Sequence, residues 1–112
     1  MSNYVLFLDD EREPSLYLLV QHTDVVVCRT YYEAVQLVRQ RGMPSHICFD
    51  HDLGPHSETG YDFAKWLVDN FMQSGRTDPI RFSVHSQNPV GALNIKTLLD
   101  NYNKHVAQQG EL

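Results

Sequence analysis

Four short apolar runs punctuate this chain, and three of them end abruptly in polar clusters. Tyr4-Val5-Leu6-Phe7-Leu8 stops at Asp9-Asp10-Glu11-Arg12. Val25-Val26-Val27-Cys28 follows the turn residues His22-Thr23-Asp24. Ile47-Cys48-Phe49 is entered from Gly42-Met43-Pro44 and stops at Asp50-His51-Asp52. Ile80-Arg81-Phe82-Ser83-Val84 is entered through Asp78-Pro79 and stops at His85-Ser86-Gln87-Asn88. Uninterrupted apolar runs of this length, rich in β-branched and aromatic residues, read as strands covered on both faces. Between them the spacing turns helical. Tyr31 to Gln40 carries Ala34, Val35, Leu37 and Val38 in one stripe, with Thr30 as N-cap and Gly42 as terminator. Tyr61 to Met72 directs Phe63, Ala64, Trp66, Leu67, Phe71 and Met72 inward and breaks at Ser74-Gly75. A last helix is expected over Val90 to His105, burying Leu93, Leu98, Leu99 and Tyr102, before a frayed tail at Gln108-Gln109-Gly110-Glu111. Pro14 to Gln21 reads as a shortened first helix or a compact loop, because the residues from Asp10 to Thr23 barely reach the roughly dozen that a parallel crossover needs. The alternation βαβαβα selects an open parallel α/β sheet with helices on both faces.

Length and composition narrow the picture. A chain of 112 residues has room for one hydrophobic nucleus, so residues 1–112 read as a single domain. With 42% apolar and 21% charged residues, 6 Gly and 5 Pro, disorder, collagen and coiled coil are excluded. Fourteen acids against nine bases give a net charge of -5, and the basic run Arg39-Gln40-Arg41 is too short to track a duplex backbone. Extended duplex nucleic acid is therefore not the expected partner, whereas an RNA end or a nucleotide is compatible with this balance. No run approaches the roughly 20 apolar residues that span a bilayer, and no leader pattern opens the chain, which predicts a cytoplasmic protein without a membrane partner. Cys28 and Cys48 sit inside apolar runs and read as small buried hydrophobes rather than a disulfide pair.

Open α/β sheets bind ligands beyond the carboxyl ends of their strands. If the first, third and fourth strands are neighbours, their three polar clusters converge. Gathered carboxylates repel unless a cation or a retained proton offsets them. Asp9, Asp10 and Asp50 offer oxygen ligands suited to magnesium or manganese; zinc would be favoured if His51 and His85 both joined a carboxylate. Asp50 is a metal ligand or a nucleophile toward phosphorus, and His51 and His85 are candidate acid or base groups. Arg12 either clamps a phosphoryl oxygen or pairs with a neighbouring acid. Ser86 and Asn88 are candidate donors to the same oxygens, and Gly91 admits an anion near the free amides of the last helix. No GxSxG surrounds Ser86, and no GxxxxGK[ST] is present, so a serine-hydrolase elbow and a nucleoside-triphosphate loop are both absent. Gly54 to Gly60 is expected to form a mobile rim over the site. His22, His46, His56 and His105 lack this context and read as surface or capping residues. Trp66 reads as packing rather than a base-stacking platform, and at least one of Tyr31 and Tyr32 is expected to pack against the sheet.

Phe7-Leu8-Asp9-Asp10-Glu11 and Phe49-Asp50-His51-Asp52-Leu53-Gly54 resemble the first and third strands of response-regulator receiver domains. That likeness implies Asp9 and Asp10 as magnesium ligands, Asp50 as phospho-acceptor and Asp52 as the residue whose backbone carbonyl meets the metal. It also implies a hydroxyl residue after the fourth strand, near Ser86, although His85 aligns equally well with that position. The fifth strand and the lysine it precedes in receivers have no counterpart. Leu8 to Arg12, Phe49 to Gly54, Thr59-Gly60-Tyr61-Asp62 and Val84-His85-Ser86-Gln87-Asn88-Pro89-Val90-Gly91 instead resemble the divergent cyclic-phosphate processing receiver domains over nearly the whole chain. The resemblance implies a receiver-like (flavodoxin-like) three-layer sandwich with a truncated, four-stranded, mainly parallel sheet. It also implies a metal-dependent phosphoesterase acting on a cyclic phosphate or phosphodiester of a nucleotide or RNA end. The alternative is a noncatalytic module that binds a phosphorylated ligand. Neither reading assigns an oligomeric state.

Overall fold

In the computed structural model, which describes residues 4–21, 24–50, 53, 58–75 and 78–110, four strands alternate with four helices. β1 (Val5–Leu8), β2 (Val25–Cys28), β3 (His46–Phe49) and β4 (Phe82–Val84) form one parallel sheet in the order β2-β1-β3-β4. The helices are α1 (Leu16–Gln21), α2 (Tyr31–Arg41), α3 (Gly60–Gln73) and α4 (Pro89–Gly110). The first, third and fourth strands are thus neighbours, and the chain has the open parallel α/β sheet its pattern predicts, in the receiver-like arrangement that the resemblance implies.

Strand alternation divides the core into two unequal layers. Leu6, Leu8, Ile47 and Phe49 join Ala34 and Val38 of α2, Phe63 and Leu67 of α3, and Ile95 and Leu99 of α4 in the larger cluster. Val5, Phe7 and Cys48 form the smaller one on the opposite face, packed against Leu18 of α1 and against Val25 and Val27. All four residues of β1 are buried for this reason, which accounts for its unbroken apolar run.

Local chemistry sets the element ends. Thr30 Oγ1 accepts from the Glu33 amide at 3.1 Å and caps α2. Gly42, at φ 83°, ends the same helix by donating its N–H to the Val38 carbonyl at 2.8 Å, a left-handed conformation that suits glycine. Thr59 and Asp62 form a reciprocal capping box at the start of α3, and Gly75 at φ 72° follows its end.

The structure differs from the sequence reading in particulars. β4 begins at Phe82 rather than Ile80, because the Asn103 side chain takes both the N–H and the carbonyl of Ile80, at 2.7 and 2.9 Å, and so removes that residue from the ladder. α4 starts at Pro89 and continues through the expected frayed tail to Gly110; buried Val106 extends its apolar stripe of Ile95, Leu99 and Tyr102 past His105. Leu93 lies off that stripe and is 63% exposed, and Met72 is 56% exposed beside inward-facing Phe71, so neither belongs to the core. Pro14 to Gln21 resolves into the short helix α1. Tyr31 packs on the larger cluster and Tyr32 faces solvent. Trp66 is half-buried and stacks on Phe63 with centroids 6.1 Å apart. Cys28 and Cys48 are buried free thiols, and burial pushes Cys28 up to about 11. Among the described residues no helix is long and apolar enough to cross a membrane.

Candidate active site at the strand ends

Sheet register decides which side chains can meet. Leu8 stands opposite Cys28 and Phe49, and Phe49 stands opposite Val84. The next residue on each strand therefore falls in one row across the carboxyl edge: Arg29, Asp9, Asp50 and His85. Continued ladder bonds hold the row, with the Asp9 amide donating to the Cys28 carbonyl at 3.1 Å. The Asp50 amide donates to the Leu8 carbonyl at 3.0 Å, and the His85 amide to the Phe49 carbonyl at 2.9 Å.

Asp9, Asp10 and Asp50 bring one carboxylate oxygen each within 4.8 Å of one another. Asp9 and Asp50 are buried and Asp10 is half-buried. Asp9 is the most constrained of the three. Its Oδ1 accepts from the Glu11 and Arg12 amides, both at 2.9 Å, and its Oδ2 lies 3.0 Å from His85 Nε2. Burial pushes this carboxyl up, but the Arg12 and Glu11 amides and the His85 ring outweigh it and hold the carboxyl below the usual carboxylate range. The ionised form of Asp9 is thus the native one.

His85 is held from two sides. Its ring stacks on Phe7 with centroids 4.9 Å apart and planes 8° apart, while Nε2 faces the Asp9 carboxylate. An ionised carboxylate accepts only, so Nε2 carries a proton, and in the neutral tautomer this leaves Nδ1 as the acceptor atom. Among the described residues Nδ1 has no hydrogen-bond partner.

A profile of the cyclic-phosphate processing receiver domain matches residues 4–101. The chain belongs to this family. No curated protein and no solved structure gives a significant match. In this cyclic-phosphate processing receiver domain, every strand end discussed above lies inside the matched span.

The remaining expected site residues have varied placements. Among the described residues Arg12 pairs with no acid: its Nη1 donates to the His85 carbonyl at 2.9 Å and bridges the β1 and β4 ends of the site. Gly91 lies in the first turn of α4, where an anion was expected near the free amides; its own amide donates to Asn88 Oδ1 at 3.0 Å, so Asn88 caps the helix with Pro89 in its first turn. Ser86 Oγ accepts from the Asn88 amide at 3.1 Å and retains its hydroxyl proton for donation. His51 and Asp52, and residues 54–57 of the expected rim, lie outside the described residues. Of the histidines set aside, His46 Nε2 lies 3.2 Å from Ser83 Oγ and His105 is exposed on α4, while His22 and His56 lie outside the described residues.

Sequence reading missed Arg29. Its guanidinium donates from Nη1 to the Asp9 carbonyl at 3.2 Å and to the Arg12 carbonyl at 2.7 Å, and pairs with Glu13 through Nη2. The signal was positional: Arg29 directly follows the second strand, whose end had been given no role.

Proposed function

We propose that this protein is a metal-dependent phosphoesterase that opens a cyclic phosphate or phosphodiester, on a nucleotide or at an RNA end. The observation that carries the proposal is the joining of two units through one residue. Asp9 belongs both to the three-carboxylate cluster and to the pair with His85. The family description, which speaks of cyclic-phosphate processing, supports the same reading.

The donor set of Asp9, Asp10 and Asp50 is all oxygen and anionic, which suits a hard divalent cation such as magnesium or manganese. Zinc would draw on His85 as well, through Nδ1 with the Nε2 N–H kept on Asp9, and would then occupy the atom assigned below to proton transfer. When bound, such a cation supplies charge neutralisation and electrophilic assistance at the phosphoryl oxygens.

The chain's own residues supply proton transfer and orientation. Asp9 fixes the His85 tautomer, leaving Nδ1 to take a proton from an attacking water. Phe7 holds the ring plane, so the accepting lone pair keeps one direction. Attack forms one phosphorus–oxygen bond and breaks another, and the ester oxygen released needs a proton; His51 is the group we assign to that donation. Arg12 ties the loop after β1 to the β4 end, and its guanidinium places a positive charge at the rim where the phosphoryl group would sit. Ser86 offers one further donor.

The test is a panel of 2',3'-cyclic and 3',5'-cyclic nucleotides incubated with purified protein and magnesium, manganese or zinc. The proposal expects turnover that chelation abolishes and that His85→Ala lowers by roughly 10²- to 10⁴-fold, the usual contribution of a general base. Turnover unchanged in the double variant His51→Ala, His85→Ala would refute it. Tight ligand binding without product, or a phosphoryl adduct on Asp50 after treatment with a small phosphodonor, would establish the noncatalytic phospho-ligand module instead.

A further inference from the structure

We infer that Arg29 is a positioning residue for the strand-end site, holding the loop that carries Asp9, Asp10 and Arg12 in the shape the acidic cluster requires. This role rests on the phosphoesterase reading of the same site. The loop between β1 and α1 has no regular secondary structure, and Glu11, Arg12 and Glu13 are exposed. A segment of that kind, loaded with like charges, needs external ties to keep one conformation. Two ties come from within the site: the Asp9 carboxylate gathers the Glu11 and Arg12 amides, and Arg12 reaches the His85 carbonyl. Arg29 supplies the third, from the neighbouring strand.

Its geometry exploits the guanidinium fork. Nη1 spans the carbonyls of Asp9 and Arg12, three residues apart, so the turn between them is closed from outside as the Asp9 carboxylate closes it from inside. Nη2 meets the Glu13 carboxylate one residue further on. A lysine ammonium could meet both carbonyls from its one nitrogen, but it lacks the planar guanidinium that fixes the direction of these two bonds and the second nitrogen that meets Glu13. The backbone of Arg29 is fixed in turn, its amide donating to Glu33 Oε1 at 2.7 Å. Arg41, the last residue of α2, shows the contrast. It pairs with the Asp24 side chain at 2.6 Å and lies over the Tyr4 ring, both at the amino ends of β2 and β1 rather than at the carboxyl ends where the acids gather.

Of the three contacts, the two to carbonyls carry the role. The pair with Glu13 is exposed on the Glu13 side and contributes little. Arg29→Ala and Glu13→Gln are therefore expected to behave differently, although both break the ion pair.

The experiment is amide hydrogen exchange by NMR on the metal-free protein, together with manganese titration followed by electron paramagnetic resonance. It compares wild type, Arg29→Ala, Arg29→Lys and Glu13→Gln. In Arg29→Ala, exchange at the Glu11 and Arg12 amides is expected to rise by about tenfold or more, with Leu6 and Ile47 unchanged, and manganese affinity to fall by about tenfold. Arg29→Lys should fall between, Glu13→Gln should match wild type, and added methylguanidinium should partly restore manganese binding to Arg29→Ala. Unchanged exchange at Glu11 and Arg12, or faster exchange spread equally through β1 and β3, would overturn the inference. Wild type that takes up no manganese would overturn the metal-dependent reading itself. Wild type and Arg29→Ala that bind it equally would overturn only the role of Arg29.

Discussion

Replacing Asp10 by Asn isolates the electrostatics of the acidic cluster. Asp10 is half-buried, and its carboxylate makes no hydrogen bond among the described residues, so the substitution removes a charge without orphaning a donor. With ligand oxygens within 4.8 Å of one another, each carboxylate pair repels by about 0.9 kcal/mol at the dielectric of water and about 3.5 kcal/mol at an effective value of about 20. The site lies at a sheet edge with Asp10 partly in water, which favours the lower figure. Two pairs are relieved, so metal-free Asp10→Asn should be more stable than wild type by about 2 kcal/mol. Manganese should reverse the order. A cation bound only by the folded protein stabilises it by about 2.7 kcal/mol at roughly 100 times its dissociation constant, and the variant has lost one of three anionic ligands. Urea denaturation with chelator and then with manganese reads both numbers. A crossing of the two stability orders is the expected result. A variant less stable than wild type without metal, or equal stabilisation of both proteins by manganese, would refute the reasoning.

Three further outcomes follow from individual residues. His85→Ala should abolish most turnover and also lower the melting temperature, since the buried Asp9 carboxylate loses its Nε2 donor and Phe7 its stacked ring, while the variant still melts cooperatively; circular dichroism melts alongside the nucleotide assay check this. The Asp62 carboxyl is held low by the Thr59 amide, so its contribution is present above the unfolded value of about 3.9 and is lost as pH falls through the lower folded value. Asp62→Ala should accordingly destabilise by about 1 kcal/mol at pH 7 and by progressively less below about pH 4, measured by urea titration across that range. Cys28 and Cys48 should resist a thiol reagent at pH 8 in the native protein and react at once in denaturant, because burial raises both thiols; prompt native labelling would contradict their placement in the core.

The strands were legible because burial on both faces leaves an uninterrupted apolar run, and the polar residues that gather where such runs stop raised, as a condition, the adjacency of the first, third and fourth strands that the sheet order supplies. The meeting of Asp9, Asp10 and Asp50 followed from that logic. The bond between Asp9 and His85 did not, since those residues are 76 positions apart and only the Leu8, Phe49 and Val84 register aligns them. Arg29 was invisible for a related reason: its partners are backbone carbonyls, which a sequence does not display. The capping box at Thr59 and Asp62 was written in the chain as Thr-x-x-Asp, the spacing that reciprocal capping requires, yet it was read only as part of a longer motif. Ile80 was assigned to β4 on apolar character alone, whereas the Asn103 side chain captures its backbone. Met72 and Leu93 show the limit of counting apolar positions on a helix, because each neighbours the buried stripe without lying on it.

The central claim is that one cation joins the ends of β1 and β3 beside His85. Anomalous diffraction from crystals grown with manganese measures this directly. The account predicts a single strong peak bonded to carboxylate oxygens of Asp9, Asp10 and Asp50, with His85 Nε2 still on Asp9. A peak elsewhere on the surface, or none at the strand ends under saturating manganese, would contradict it.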